Sequence, residues 1–245
     1  MSNLTKINIL KEKVFLQNDK HCFIERESFL SSVKKPDEKS MRFYAQTLAD
    51  LLDSVSTPVL EEDIFVGRVV EDFPSTEGYY PNTTISSNGH LTPNYAKLLK
   101  LGYKGILQGL KDGLSENNTP EAAEYTENAE IIINAIKRFA NRYASEAKRY
   151  GNERAYKALS TVPYEPAYDL YSALAGIWMV HMISSCYVGA RDYAFGYMDE
   201  YLYPFYLKEK ENGVSDEEIA ELFAGFFKKN VRNRVTKAKK FRLYR

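Results

Sequence analysis

Cysteine and histidine are scarce in this chain: the cysteines are Cys22 and Cys186, and the histidines are His21, His90 and His181. Two cysteines give no disulfide framework. No histidine has a second histidine one helical turn away, and no cysteine or glutamate stands at a metal-ligand spacing from one. The sequence therefore predicts a reduced, intracellular protein with no metal site and no cofactor.

Net charge is also lacking, because 33 lysines and arginines balance 33 acidic residues. Such a chain exerts no global field on nucleic acid or on a membrane surface. The charge is unevenly placed, however, since residues 228–245 hold nine basic residues and no acid. A block of like charge is typical of a solvated tail. A nucleic-acid arm is the alternative, but no base-reading motif accompanies it, so nucleic acid is not an expected partner.

The sequence has no recognisable targeting or membrane-spanning segment. Residues 1–17 contain neither a long apolar core nor a small-residue cleavage site. The most apolar stretch, residues 174–183, is too short to cross a bilayer. With 44% apolar residues the chain can still build a sizeable core. We therefore expect a soluble, cytoplasmic protein that has no membrane partner.

Motifs for phosphate binding and nucleophilic catalysis are absent as well. The sequence contains no GxxxxGK[ST] loop, no GxGxxG turn and no serine in a nucleophile elbow. Cys186 is interpreted as a small buried hydrophobe rather than a nucleophile, because no elbow surrounds it. His181 is interpreted as a core histidine rather than a ligand. His90 differs, since it comes just before a helix start, where functional side chains are common.

Helical periodicity is the main pattern that the sequence does contain. The predicted helices begin at Asp37, at Thr92-Pro93, at Thr119-Pro120, at Ala167 and at Ser215 with Glu218. The first carries an apolar stripe of about four turns. The second extends towards Gly113, and the third ends at Gly151. The fourth, residues 167–186, is apolar nearly all round, so we expect it to be the buried central helix.

Strand signals are few. Ile64-Phe65-Val66, resumed by Val69-Val70 after Gly67, is the best candidate. Residues 71–89 are rich in turn formers and are interpreted as an irregular connection. The predicted fold class is therefore mainly α with a few short strands.

One tyrosine-rich run stands apart from these patterns. Gly196 to Tyr206, GYMDEYLYPFY, holds four tyrosines, one phenylalanine, two acids and a proline. No helical or strand periodicity accounts for it. Clustered tyrosines are typical of rings that are buried with their hydroxyls hydrogen-bonded. The run resembles the GRxDQYLYPYY segment of the pyruvate formate-lyase-like glycyl radical enzymes.

Four further stretches resemble the same family, in the family's order. They are Phe23–Arg26 (FIER), Pro58–Gly67 (PVLEEDIFVG), Gly89–Gly105 (GHLTPNYAKLLKLGYKG) and Val162–His181 (VPYEPAYDLYSALAGIWMVH). The third is the best match, to the family pattern GHxTPDYEKLLKKGLKG. The resemblance implies the N-terminal, mostly helical part of the family's α/β barrel fold. It divides the chain into a flexible segment, 1–20, a family domain, 21–227, and a basic tail, 228–245.

The resemblance also implies what the chain lacks. In the family, a backbone radical on a glycine abstracts hydrogen from a cysteine. The resulting thiyl radical attacks the substrate inside a barrel that excludes water and oxygen. No cysteine here matches the thiyl cysteine, since Cys186 precedes the tyrosine run, and no glycine loop is matched. No catalytic residue is therefore assigned, and we expect the chain to be inactive alone.

The family's pocket residues are only partly kept. In some members the histidine of the Gly-His pair, His90 here, and a serine, Ala194 here, lie near the substrate. The resemblance therefore implies that His90 binds substrate in a complete enzyme. The family's arginine and glutamine in the tyrosine run are replaced by Tyr197 and Glu200.

The predicted function follows from these matches and losses. We expect an N-terminal fragment or truncated homologue of a glycyl radical enzyme of anaerobic metabolism, whose parent reaction is that of a lyase, acyltransferase or dehydratase. One alternative is a non-catalytic interaction module with a basic tail. Another is one half of a split enzyme, completed by a partner chain. A half domain leaves apolar surface uncovered, so self-association is expected too.

Overall fold

The computed structural model describes residues 2, 4–9, 21–34, 40–67, 91–188 and 194–241, with the backbone alone for 21–24 and 229–241. Residues 4–9 are helical. The longer elements are α1 (His21–Ser32), α2 (Met41–Ser54), α3 (Tyr95–Glu116), α4 (Pro120–Arg149), α5 (Glu153–Leu159), α6 (Leu170–Met182), a π-helical segment (Ile183–Val188), α7 (Met198–Glu211) and α8 (Asp216–Phe241).

The prediction of a mainly helical chain is confirmed, whereas the strand candidate is wrong. No strand occurs in the described ranges, and Ile64-Phe65-Val66 forms an irregular bend in which all three residues are buried. The backbone carbonyls here accept from side chains: Tyr171 Oη donates to Ile64 O at 2.5 Å, and Asn152 Nδ2 donates to Asp63 O at 2.7 Å. Since these bonds satisfy the carbonyls, the segment needs no neighbouring strand. Residues 68–70 and the predicted irregular connection, 71–89, lie outside the described residues.

The helix starts test the capping signals of the sequence. Thr119 caps α4 with Pro120 at its first position, and Ser215 and Glu218 form the predicted capping box of α8. By contrast, α3 begins at Tyr95 and is capped by Asn94, whose Oδ1 accepts from Lys97 N at 2.9 Å. The predicted start of this helix at Thr92-Pro93 is therefore wrong. Helix α2 as described begins at Met41 and is capped by Ser40, and its predicted start at Asp37 lies outside the described residues.

The two Thr-Pro pairs make a matched test of capping. Thr119→Ala should destabilise the fold by about 1 kcal/mol, because the Thr119 hydroxyl accepts from Ala122 N at 3.2 Å and that donor loses its partner. Thr92→Ala should cost less than about 0.5 kcal/mol, because Thr92 is exposed and caps no helix. Urea denaturation of both variants measures the difference, and equal losses would contradict the assignment of the caps.

The predicted central helix is confirmed in α6, where all residues from Leu170 to Met182 are buried. Helix α6 contacts α3, α5, α7 and α8. Its first backbone N–H, that of Leu170, donates to the buried carboxylate of Glu209 on α7 at 3.1 Å. By composition and length the segment Leu170–Val188 could cross a membrane, but 89% of it is buried inside the protein. That burial is characteristic of the core helix of a soluble protein.

Helices α2 and α4 lie side by side and run in the same direction. Arg42 near the start of α2 pairs with Glu127 of α4, and Arg138 further along α4 pairs with Asp53 at 2.6 Å near the end of α2. Arg142 then donates to the C-terminal carbonyls of α2, at 2.8 Å to Leu52 O. Such a cation satisfies carbonyls that the helix itself leaves without partners.

The two ends of the chain are described only in part. Helix α8 continues to Phe241, so the backbone of the basic residues is helical up to that point. The predicted flexible segment, 1–20, lies mostly outside the described residues, apart from the helical residues 4–9.

Candidate functional site

His90, the predicted substrate-binding residue, lies outside the described residues, but the chain that follows it is described. Ala194 N donates to Leu91 O at 3.1 Å. A Cβ on Gly196 would lie 2.9 Å from the Thr92 side chain, so the Gly196 backbone lies against that side chain. The segments 91–94 and 194–197 therefore lie side by side. The residue after His90 is thus bonded to Ala194, the other position that the family resemblance places near the substrate.

A cluster of rings lies against these two segments. The Phe195 ring centroid is 4.8 Å from that of His181 and 5.3 Å from that of Phe226. Trp178 lies 6.2 Å from Phe226, and Tyr95 lies 6.2 Å from Phe195. Phe195 therefore connects the surface segments to the central helix. Phe195 was not among the residues predicted from the sequence, although it directly precedes Gly196 at the start of the tyrosine run.

His181 lies on α6 within this ring cluster. His181 is 4% exposed, and this burial lowers the pKa of its imidazole to about 4. The imidazole is therefore neutral at neutral pH. Its burial among rings confirms the interpretation of His181 as a core histidine.

The tyrosine run forms the start of α7, with Pro204 inside the helix. Tyr201 comes nearest to the expectation of a buried ring with a bonded hydroxyl, since it is half-buried, its hydroxyl donates to Phe195 O at 2.7 Å, and burial raises its pKa. The expectation is wrong for Tyr197 and Tyr203, which are 75% and 56% exposed. Clustering in sequence did not bury all the rings, because a helix distributes adjacent residues around its axis.

Cys186 lies in the π-helical segment and is buried, which agrees with its interpretation as a small hydrophobe. The segment is held by Arg26, whose guanidinium is buried and donates from Nε to Tyr187 O at 3.0 Å. π-Helical turns are frequent at functional sites. This one ends six residues before Ala194 in the sequence. In the described ranges, no group of three or more His, Cys, Asp or Glu side chains could hold a metal ion.

Comparison with known proteins gives one family throughout. A family model described as pyruvate formate lyase-like matches residues 75–242. The isethionate sulfite-lyase of Oleidesulfovibrio alaskensis is 30% identical over 146 residues, which are 52% of this chain and 18% of that protein. A probable dehydratase of Escherichia coli is 22% identical over 152 residues, 55% of this chain and 19% of that protein.

The fold comparison covers more of the chain. The glycerol-bound B12-independent glycerol dehydratase of Clostridium butyricum aligns with a TM-score of 0.74 at 18% identity, over 92% of this chain and 39% of that one. A glycyl radical enzyme of Archaeoglobus fulgidus aligns with a TM-score of 0.70 at 16% identity, over 92% of this chain and 40% of that one. In the sequence matches, by contrast, this chain spans about a fifth of the length of each curated relative.

Proposed function

Since this chain belongs to the pyruvate formate lyase-like family, as its motifs predicted, we propose that it forms the N-terminal helical part of a glycyl radical enzyme. The observation that carries the proposal is the family match over residues 75–242. No cysteine of this sequence matches the thiyl cysteine, and no glycine loop is matched. On this proposal the chain is inactive by itself, works in the cytoplasm and meets a small-molecule substrate only in a complete enzyme.

The names of the relatives narrow the reaction class. They describe a sulfite-lyase, a probable dehydratase and a glycerol dehydratase. We therefore place the parent reaction among lyases and dehydratases that act on small molecules, ahead of acyl transfer.

His90 is the residue that we propose to contact substrate. The support is the bond between Ala194 and Leu91, the neighbour of His90 in sequence. That bond joins two segments in which the family resemblance places pocket residues. Phe195, in the second of these segments, packs on His181, so this region is apolar on the side that faces α6. Because burial lowers the pKa of the His181 imidazole, that imidazole is uncharged at neutral pH. A neutral histidine inside the core packs with the rings and is not assigned to substrate.

An anaerobic activation experiment tests the proposal. The isolated chain is treated with a radical-activating enzyme and its cofactor, then examined by electron paramagnetic resonance. We expect no glycyl doublet and no turnover of glycerol or isethionate. Addition of the C-terminal part of a close relative should produce the doublet and turnover. A doublet or turnover from the isolated chain would contradict the missing radical centre.

The same complemented system tests His90. His90→Ala should reduce turnover at least about tenfold while the two polypeptides still assemble, because a pocket residue acts on substrate rather than on packing. His21→Ala is the control, since His21 lies outside the stretches that resemble the family. Equal losses of assembly and turnover in His90→Ala would mean that His90 stabilises the fold and does not act on substrate.

The alternatives give different outcomes in this system. If no C-terminal part restores the doublet but the chain binds nucleic acid through residues 228–245, the interaction module is favoured. That binding would weaken steeply with salt, because counterions are released. If a polypeptide encoded beside this chain restores the doublet, the split enzyme is favoured.

A further inference from the structure

Helix α8 carries two apolar stripes, which lie on different sides of the helix. The first faces the core, where Ile219, Leu222 and Phe226 are buried. The second recurs at intervals of three and four residues, a spacing that places residues on one face of a helix. This outer stripe consists of Ala220, Ala224, Phe227, Val231, Val235 and Ala238. At 3.6 residues per turn, it follows the helix for about five turns.

The outer stripe is open to solvent where its side chains are described. Ala220 and Phe227 are exposed, Phe227 to 46%, and Ala224 is half-buried. The helical backbone then continues to Phe241, so the later members of the stripe keep the register of the earlier ones. Apolar residues at this spacing favour packing against a second helix.

The two ends of α8 carry opposite charge. Residues 216–221 hold four acids and no base, whereas residues 228–241 hold seven bases and no acid. Of the four acids, Glu217 and Glu221 form no ion pair within the part of the chain that the structure describes. A helix that lies along the outer stripe matches both ends only if it places bases beside residues 216–221 and acids beside residues 228–241.

Helix α8 itself meets this requirement when it runs in the opposite direction. We propose that two copies of this chain pair through α8 in antiparallel orientation, around a twofold axis near residue 229. This axis places Phe227 of one copy beside Val231 of the other, and Ala220 beside Ala238. The acidic start of each helix then lies along the basic end of the other helix, and the two helix dipoles are opposed.

The order of the charges selects this arrangement over a parallel pair. In a parallel pair the bases of residues 228–241 would lie side by side, and like charges on neighbouring elements are destabilising. In the antiparallel pair every contact occurs twice, so the single surface of α8 is complementary to itself and needs no further molecule. The pairing is independent of the proposed radical function.

Sedimentation equilibrium of the full chain tests the proposal. We expect a concentration-dependent dimer at about 1–100 μM chain. Its dissociation constant should rise several-fold between about 0.1 M and about 1 M NaCl, because salt screens the charges that meet across the interface. A monomer over the whole concentration range, or a dimer that salt does not weaken, overturns the proposal.

Exchanging the charges tests the orientation of the pair. Glu217→Lys with Glu221→Lys should weaken the dimer at least about tenfold, because each substitution acts twice in a twofold interface. Lys237→Glu with Lys239→Glu should weaken it as much. All four substitutions in one chain should recover dimerisation relative to either pair alone, since opposite charges meet again. A chain with all four that dimerises no better than either pair overturns the antiparallel arrangement.

A matched control separates this interface from the overall charge of the chain. Glu121→Lys with Glu124→Lys makes the same change of charge at two exposed residues near the start of α4, and it should leave the dimer unchanged. Far-UV circular dichroism shows whether the helices of each variant persist. An equal loss of dimer in the α4 and α8 variants overturns the proposal.

The outer stripe provides a test that leaves every charge in place. Phe227→Ser should weaken the dimer at least about tenfold, because an apolar ring at the interface is lost. Tyr150→Ser, a change at another exposed ring outside α8, should leave the dimer unchanged. Unaltered dimerisation of Phe227→Ser overturns the proposal. Binding of duplex DNA by a chain that stays monomeric would overturn it in favour of a nucleic-acid arm.

Discussion

Gly102→Ala should destabilise the fold by at least about 3 kcal/mol, one of the two largest effects that we expect of a single substitution. Gly102 lies inside α3 with φ of 62° and ψ of 171°, so the helix is kinked at this residue. A Cβ there would lie 2.3 Å from Tyr164 O and 2.5 Å from Glu165 C. Both are backbone atoms, which cannot move aside as the end of a flexible side chain can.

The cost extends beyond one contact, because the kink joins α3 to the segment before α6. Tyr103 N donates to Pro163 O at 2.9 Å, and Lys104 N donates to Tyr164 O at 2.8 Å. In return, Ala167 N donates to Leu99 O at 3.0 Å. An added methyl group would push these backbones apart and break bonds that are partly buried.

Gly109→Ala and Gly113→Ala in the same helix are the matched controls. A Cβ at either position would meet nothing within 4 Å. These changes should stabilise the chain by about 0.5–1 kcal/mol, since alanine loses less backbone entropy in a helix than glycine. Urea denaturation measures all three variants. A Gly102→Ala chain as stable as its controls would mean that α3 does not dock through this kink.

The glycines of α3 illustrate how far the sequence could predict the fold. The near-helical spacing of Gly102, Gly105 and Gly109 is compatible with either close approach of another element or a mobile helix. The structure assigns the close approach to Gly102, whereas Gly109 and Gly113 face open space. Spacing along one helix could not separate them, because the partner backbone at Tyr164 belongs to another part of the chain.

Helices and their starts were predicted correctly where residues close together in the sequence determine them. The uninterrupted apolar composition of α6 sufficed to predict its burial, and Ser215 with Glu218 sufficed to predict the start of α8. Thr92-Pro93 and Thr119-Pro120 are the same signal with different outcomes, because Asn94 provides a competing cap for α3. The Ile64–Val66 strand failed because Tyr171 and Asn152 supply hydrogen bonds that a ladder would otherwise make.

The candidate site was singled out through family resemblance and not through local pattern. His90 and Ala194 were singled out by matched motifs, and the bond from Ala194 to Leu91 brings the two motifs together. No periodicity relates residues so far apart in the chain.

Acid should destabilise this chain through His181 before its carboxylates are protonated. In the folded chain burial lowers the pKa of His181 to about 4, whereas an unfolded histidine titrates near about 6.5. Between these values the unfolded state binds more protons, so stability falls as the pH falls. The full contribution is present above about pH 6.5, and about 3 kcal/mol of it is lost by about pH 4.

His181→Leu isolates this contribution. Leucine fills the site beside Phe195 and Trp178 without titrating. We expect the loss of unfolding free energy between about pH 7 and about pH 4.5 to be about 2–3 kcal/mol smaller in His181→Leu than in the parent chain. The same pH dependence in both chains would mean that the His181 imidazole takes up its proton in the folded state. The ring cluster would then open to water beside the segments that carry Leu91 and Ala194.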